Sequence, residues 1–203
     1  MLANNGCGPI KEYSHLQRLK TAVRLYPEAT AKVAHIINSE FGTAPRINHV
    51  NDASYHTIIH GDFWHGNILI TRQEPALPPS NPLPLKIIDW ELSRVGTPAW
   101  DIGQFFAECR ILSLFKSRPE ALSSITGFIA GYGTIEREEA FDVAVMYAAQ
   151  LMTAPEYLAD WVEDATHVED ERRCVEEGAV WLERAWERDG GFFAGGILGG
   201  WFR

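Results

Sequence analysis

Residues 58–71 read I-I-H-G-D-F-W-H-G-N-I-L-I-T, and after a proline-rich insert residues 85–91 read L-K-I-I-D-W-E. Two short apolar runs, Ile68-Leu69-Ile70 and Leu85-Ile87-Ile88, flank the insert and predict a strand pair. Polar side chains sit where the runs begin and end: His60, Asp62 and Asn67 before the first, Asp89 and Glu91 after the second. In an antiparallel pair, residues entering one strand lie beside those leaving the other. Asp62, Asn67, Asp89 and Glu91 are therefore expected in one small volume.

Four oxygen-bearing side chains at one point repel one another and are costly to desolvate unless something positive lies between them. A hard divalent cation held by an Asp and an Asn, with phosphate oxygens in its other positions, resolves that conflict. A carboxylate five residues before the Asn, aimed at a substrate hydroxyl, completes a phosphoryl-transfer site. The spacing H-x-D-x-x-x-x-N, followed by a strand and a further Asp, is that of a kinase catalytic loop and metal-binding Asp.

H-G-D-F-W-H-G-N-I-L, with I-I-D-W-E and T-P-A-W-D-I-G-Q-F, resembles the aminoglycoside phosphotransferase and choline kinase family of small-molecule kinases. The D-x-E variant at Asp89-Trp90-Glu91 is similar to members such as methylthioribose kinases, in which both acids approach the metal. His60-Gly61-Asp62 stands where protein kinases have H-R-D, and the missing Arg argues against control by phosphorylation. The resemblance implies ATP, or another nucleoside triphosphate, and Mg²⁺ as cofactors, with a small-molecule hydroxyl as acceptor. It implies Asp62 as the catalytic carboxylate and Asn67 and Asp89 as the residues that hold metal and nucleotide. Glu91 is a second metal ligand or an exposed loop acid. His60 buttresses the loop, and Asp101 ties the loop down or caps its own helix. His60, Asp62, His65 and Asp89 also allow a metal-dependent hydrolase, though no third ligand with supporting contacts is visible. Trp64, Trp90 and Trp100 are core or a stacking wall for substrate.

The fold class expected is α+β: a protein kinase-like C-terminal lobe, mostly α-helical, with a small β-hairpin carrying the catalytic and metal-binding loops. From Lys11 onward the residues before His60 read as helix-rich and contain no G-x-G-x-x-G, so the N-terminal ATP lobe is expected to be absent. Residues 1–10 read as a linker, 11–188 as the lobe, and 189–203 as a Gly-rich apolar tail. Helices are expected over 11–25, from Pro27 to Gly42, from Asp101, and over 119–130, 136–152, 155–166 and 169–188; Ser93 to Trp100 reads as loop.

The net charge of −9 is uneven: residues 135–189 hold 16 acids against 5 Arg, while 1–134 are balanced at 11 acids and 12 Lys/Arg. This argues against nucleic acid as a partner and is compatible with a cationic acceptor. Glu156, Asp160, Glu163 and Asp164, at helical spacing, are candidates to hold such an acceptor; the alternative is a solvated face. No apolar run reaches membrane-span length, and no signal peptide is expected. Cys7, Cys109 and Cys174 are few, odd in number and far apart, so they read as reduced thiols and a cytoplasmic location is expected. A second class of function remains: a non-catalytic C-lobe acting as an interaction or ligand-binding module. The face left bare by a missing N-lobe would then support self-association or a partner.

Overall fold

The computed structural model describes residues 7–40, 56–70, 84–115, 118–158 and 168–203. Six α-helices and four short strands appear in these residues: α1 (Cys7–Leu25), β1 (Thr57–Ile59), β2 (Ile68–Ile70), β3 (Leu85–Ile87), β4 (Arg94–Gly96), α2 (Pro98–Phe115), α3 (Ala121–Tyr132), α4 (Arg137–Leu158), α5 (Val168–Trp186) and α6 (Gly190–Ala194). The architecture is mostly helical with two small two-stranded sheets, consistent with a kinase-like C-lobe. The expected hairpin is present: β2 and β3 pair antiparallel with Ile68 opposite Ile87 and Ile70 opposite Leu85.

A second pair was not foreseen. Arg94–Gly96, expected as loop, pairs antiparallel with β1, Ile59 lying opposite Arg94. Three residues containing one Val carry too little periodicity to be recognised alone; their partner, 35 positions upstream at Ile59, defines them. Helix α2 also begins at Pro98, before the expected Asp101. Thr97 caps it, its Oγ1 accepting from the Ala99 N–H at 3.4 Å, and Pro98 takes the first helical position, where no N–H is required.

The core lies where α2, α4 and α5 meet. Residues Ile102–Cys109 of α2 and Ala140–Ala154 of α4 are buried throughout, with no polar face between them. A helix apolar all round must be enclosed by others. Gly103 permits the close approach, because a Cβ there would fall 2.5 Å from the Met146 Cβ. One polar cluster joins the three helices at the edge of this interior. Glu177 of α5 accepts from Arg110 of α2 at 2.7 Å and from the Tyr147 hydroxyl of α4 at 2.8 Å, tying the three helices together. Cys109 and Cys174 are free and buried, and burial pushes both thiols up to about 12.

Three further expectations are corrected. Pro27 to Glu40 is a series of turns ending in a π-helical turn, Ile36–Glu40, and not a regular helix. Val33, Ile36 and Ile37 are buried as expected, while Phe41 lies outside the described residues. The segments 136–152 and 155–166 are not separate helices up to residue 158, since α4 runs through Pro155. Proline was read as a helix start; here it stands in the last turns, giving up a single ladder bond. Residues 159–167 lie outside the described set.

The glycine-rich end, for which the sequence offered no account, is docked. Phe193, Leu198, Trp201 and Phe202 join the core. Phe193 stacks on Phe202 at 5.0 Å, and Trp201 stacks on Phe106 at 5.8 Å while its Nε1–H donates to the Gly133 carbonyl at 2.8 Å. Removing that indole leaves a large cavity and an unpaired carbonyl. Trp201→Ala is expected to destabilise the fold by about 3 kcal/mol or more, measured as a lowered midpoint in urea with an unchanged slope.

Candidate active site

Strand β1 leads into His60-Gly61-Asp62, and a carboxylate from another element holds the backbone there. Asp101 Oδ2 accepts from the His60 N–H at 2.6 Å and Oδ1 accepts from the Gly61 N–H at 2.9 Å. Of the two roles open to Asp101, the clamp is the one formed. Asp101 lies within the first turn of α2 and spends both oxygens on the loop and not on its own helix. Charge-assisted bonds of this kind are short and strong.

His60 is buried and ties the loop to the second half of the motif. Its Nδ1 accepts from the Asp62 N–H at 3.3 Å, so the proton is on Nε2, which donates to the Ile88 carbonyl at 2.7 Å. The Trp90 ring lies 4.7 Å from the imidazole. With both ring nitrogens engaged, His60 has no lone pair left for a metal. His65, whose pKa is lowered by burial, is not joined to it in any group of three or more His, Cys, Asp or Glu suited to a metal among the described residues.

Gly61 has φ +81°, and an added Cβ would lie 2.4 Å from the Leu92 carbonyl oxygen. Only glycine fits, which accounts for Gly in place of the Arg of H-R-D. Asn67, also buried, sits in a 3₁₀ turn (His65–Asn67) at the head of β2. Its Nδ2–H donates to the Asp62 carbonyl at 2.9 Å, and its own carbonyl accepts from the Ile88 N–H at 3.0 Å. A chain of bonds thus runs from Asp62 through Asn67 to the residue preceding Asp89. Asp89 is left-handed, φ 67° and ψ 51°, a conformation Asp tolerates better than most residues. It is exposed, as is Glu91 in the following 3₁₀ turn (Trp90–Leu92).

This donor set suits a hard cation. With its amide nitrogen engaged, Asn67 keeps Oδ1 for another contact, and Asp89 and Glu91 are exposed carboxylates. All are oxygen donors, few in number, as Mg²⁺ prefers.

Beside the loop lies a cleft of about 310 Å³ whose lining includes Ile58, Phe63, Trp90, Ile102, Phe128 and Tyr132, together with His60 and Asp101. Burial, aided by the Glu139 carboxylate, raises the Tyr132 pKa and keeps its hydroxyl a donor. Trp90 is thus on a wall of this cleft. Trp100 is core, with its ring against His15 at 5.5 Å and under the Arg94 guanidinium at 5.0 Å; Trp64 packs over Gly66. The Glu156 side chain and Asp160, Glu163 and Asp164 lie outside the described residues.

One contact at the site was not anticipated. Gln104, one turn after Asp101, donates from Nε2 to Asp62 Oδ1 at 3.1 Å. It lies in T-P-A-W-D-I-G-Q-F, where the sequence suggests no role for it. Its i+3 spacing from Asp101 on one helix was the available signal.

A loop clamped by a helix carboxylate, followed by an Asn-headed strand and a D-x-E turn, is consistent with a kinase-like C-lobe. Comparison with known proteins agrees. The model of the ecdysteroid kinase-like family matches residues 12–121, just over half of the chain. The chain belongs to that family, within the aminoglycoside phosphotransferase and choline kinase-like superfamily. It is similar to 4-hydroxytryptamine kinase of Psilocybe cubensis, 30% identical over 79 residues (39% of this chain, 21% of the relative). It is also similar to 4-hydroxytryptamine kinase of Psilocybe cyanescens, 26% identical over 120 residues (59% of this chain, 31% of the relative). The chain thus spans between a fifth and a third of the length of these relatives. No solved structure matches.

The loop geometry makes one outcome specific. Gly61→Ala forces a Cβ into the Leu92 carbonyl at a positive φ. It is expected to cost at least about 2 kcal/mol and to speed amide exchange at His60 and Gly61, read by hydrogen exchange.

Proposed function

We propose that this chain carries the acceptor-side half of an ATP-dependent phosphotransferase that moves the γ-phosphate to a hydroxyl of a small molecule. The observation that carries the reading is the Asp101 clamp on His60-Gly61, continued by the bond from Asn67 to the Asp62 carbonyl. That arrangement fixes the backbone of the catalytic carboxylate relative to the strand pair that ends at Asp89.

Asp62 orients the acceptor hydroxyl and takes its proton as the new P–O bond forms and the bond to the β-phosphate oxygen breaks. Positioning matters more than basicity, because the transition state is loose. Asn67, Asp89 and Glu91 would hold Mg²⁺, whose charge, when bound, offsets that of the phosphate oxygens. Two carboxylates are used, as in the D-x-E members to which Asp89-Trp90-Glu91 is similar. His60 keeps the loop against β3 and takes no part in proton transfer.

The acceptor's apolar part fits the cleft between Phe63, Trp90, Phe128 and Tyr132, whose lining includes His60 and Phe63 on either side of Asp62. Aromatic walls without an uncommitted charge favour a flat, ring-bearing alcohol. The name of the similar relatives, 4-hydroxytryptamine kinase, supports the same class. A cationic group on such an acceptor would look to the acidic residues near 156–164. No helix among the described residues is long and apolar enough to cross a membrane; a cytoplasmic enzyme is proposed.

Asp62→Ala is expected to lower phosphotransfer to a ring-bearing alcohol by about 10²-fold or more, leaving ATP–Mg binding in place. Asp89→Ala should abolish ATP–Mg binding in calorimetry. Wild-type chain that binds no nucleotide with Mg²⁺ would refute activity of this chain by itself.

One observation favours a second reading, an interaction module. Ile58 and Val95, opposed across β1 and β4, are 72% and 64% exposed, and Leu69, Ile70, Leu85 and Ile87 of the hairpin are exposed as well. Apolar side chains gathered on two adjacent sheets suit a covering polypeptide or a second copy. This reading expects concentration-dependent association in sedimentation velocity, reduced by Ile58→Lys with Val95→Lys; a monomer at all concentrations counts against self-association.

A further inference from the structure

Gln104 is 9% exposed and lies one turn after Asp101 on α2, in contact with the catalytic loop. Its amide is only half satisfied. Nε2 donates to Asp62 Oδ1 at 3.1 Å, whereas Oε1 is buried without a hydrogen-bond partner. The amide cannot be turned the other way, since that would set Oε1 against a carboxylate oxygen. An orphaned buried carbonyl is costly, and leucine at this point of an apolar helix would carry no such cost. A residue kept for stability would not have this arrangement.

We infer that Gln104 is a positioning residue for the proposed phosphotransfer: it holds one oxygen of the Asp62 carboxylate and so fixes the plane in which Asp62 meets the acceptor hydroxyl. The inference rests on the reading of Asp62 as the catalytic carboxylate. Backbone and side chain of Asp62 are then set from two points of the same helix. Asp101 clamps the loop amides that precede Asp62, and Gln104, one turn on, holds its carboxylate. Because α2 is enclosed by α4 and the other helices, both points move only with the core. Misplacing a reacting group by about 1 Å costs on the order of 10²-fold in rate.

The test uses the full chain with Gln104→Leu and Gln104→Glu, alone and in the Asp62→Ala background. Gln104→Leu is expected to melt no lower than wild type, yet to lose roughly 10- to 100-fold in kcat with KM for ATP within about twofold. Gln104→Glu, which sets two carboxylates together, should lose at least as much. Neither change should reduce the residual rate of Asp62→Ala further, because groups that act as one unit are not additive. Retained kcat in Gln104→Leu, or a further loss in the Asp62→Ala background, overturns the assignment. If wild type itself transfers no phosphate, activity of this chain by itself is refuted, and the side-chain amide resonance of Gln104, identified by its loss in Gln104→Leu, decides the contact. A shift of that resonance in Asp62→Ala supports the hold on Asp62, and an unmoved resonance refutes it.

Discussion

Two backbone amides on one carboxylate organise this protein. The His60 and Gly61 N–H groups lie on buried residues at the end of β1, and Asp101 supplies both acceptors. Left without them, the turn would bury two unpaired donors, each costing about 1–3 kcal/mol. With them, both Asp101 carboxylate oxygens are hydrogen-bonded. The loop is therefore as rigid as the helix that carries Asp101.

That helix draws its rigidity from its surroundings. Helix α2 has little polar surface from Ile102 to Cys109, and α4 encloses it through the Gly103–Met146 approach. The Arg110–Glu177–Tyr147 bonds fasten the far end of α2 to α5 and α4, and the Phe106–Trp201 stack brings in the C-terminal segment. Residues near the terminus therefore bear on the loop through packing alone. The site departs from good packing in only a few places: the left-handed Asp89, the half-satisfied Gln104 amide and the exposed Trp90. Such departures gather where function requires them.

The hairpin was legible in the sequence because two apolar runs, 68–70 and 85–88, flank a proline-rich insert that excludes helix. The spacing of Asp62, Asn67 and Asp89 to those strands marks them as candidates. Strand β4 was not, since Arg-Val-Gly is strand only because Ile59 is opposite. Helix α2 was misplaced by three residues although Thr97-Pro98 is an N-cap followed by a favoured first position. The continuity of α4 through Pro155 is a case of tertiary burial overriding a local breaker.

By itself the sequence determined the order of the chemistry: which residue types occur, at what spacing, on which side of two strands. Spacing along a chain is local, and a motif of a few residues carries it. The tertiary structure alone decided that Asp101 spends its carboxylate on the loop and not on its own helix, that Gln104 reaches Asp62, and that the glycine-rich end is core. Each of these joins residues 40 or more positions apart. Contacts of that kind depend on how α2 seats against α4, which follows from the fit of many apolar side chains together and is written in no single stretch of sequence.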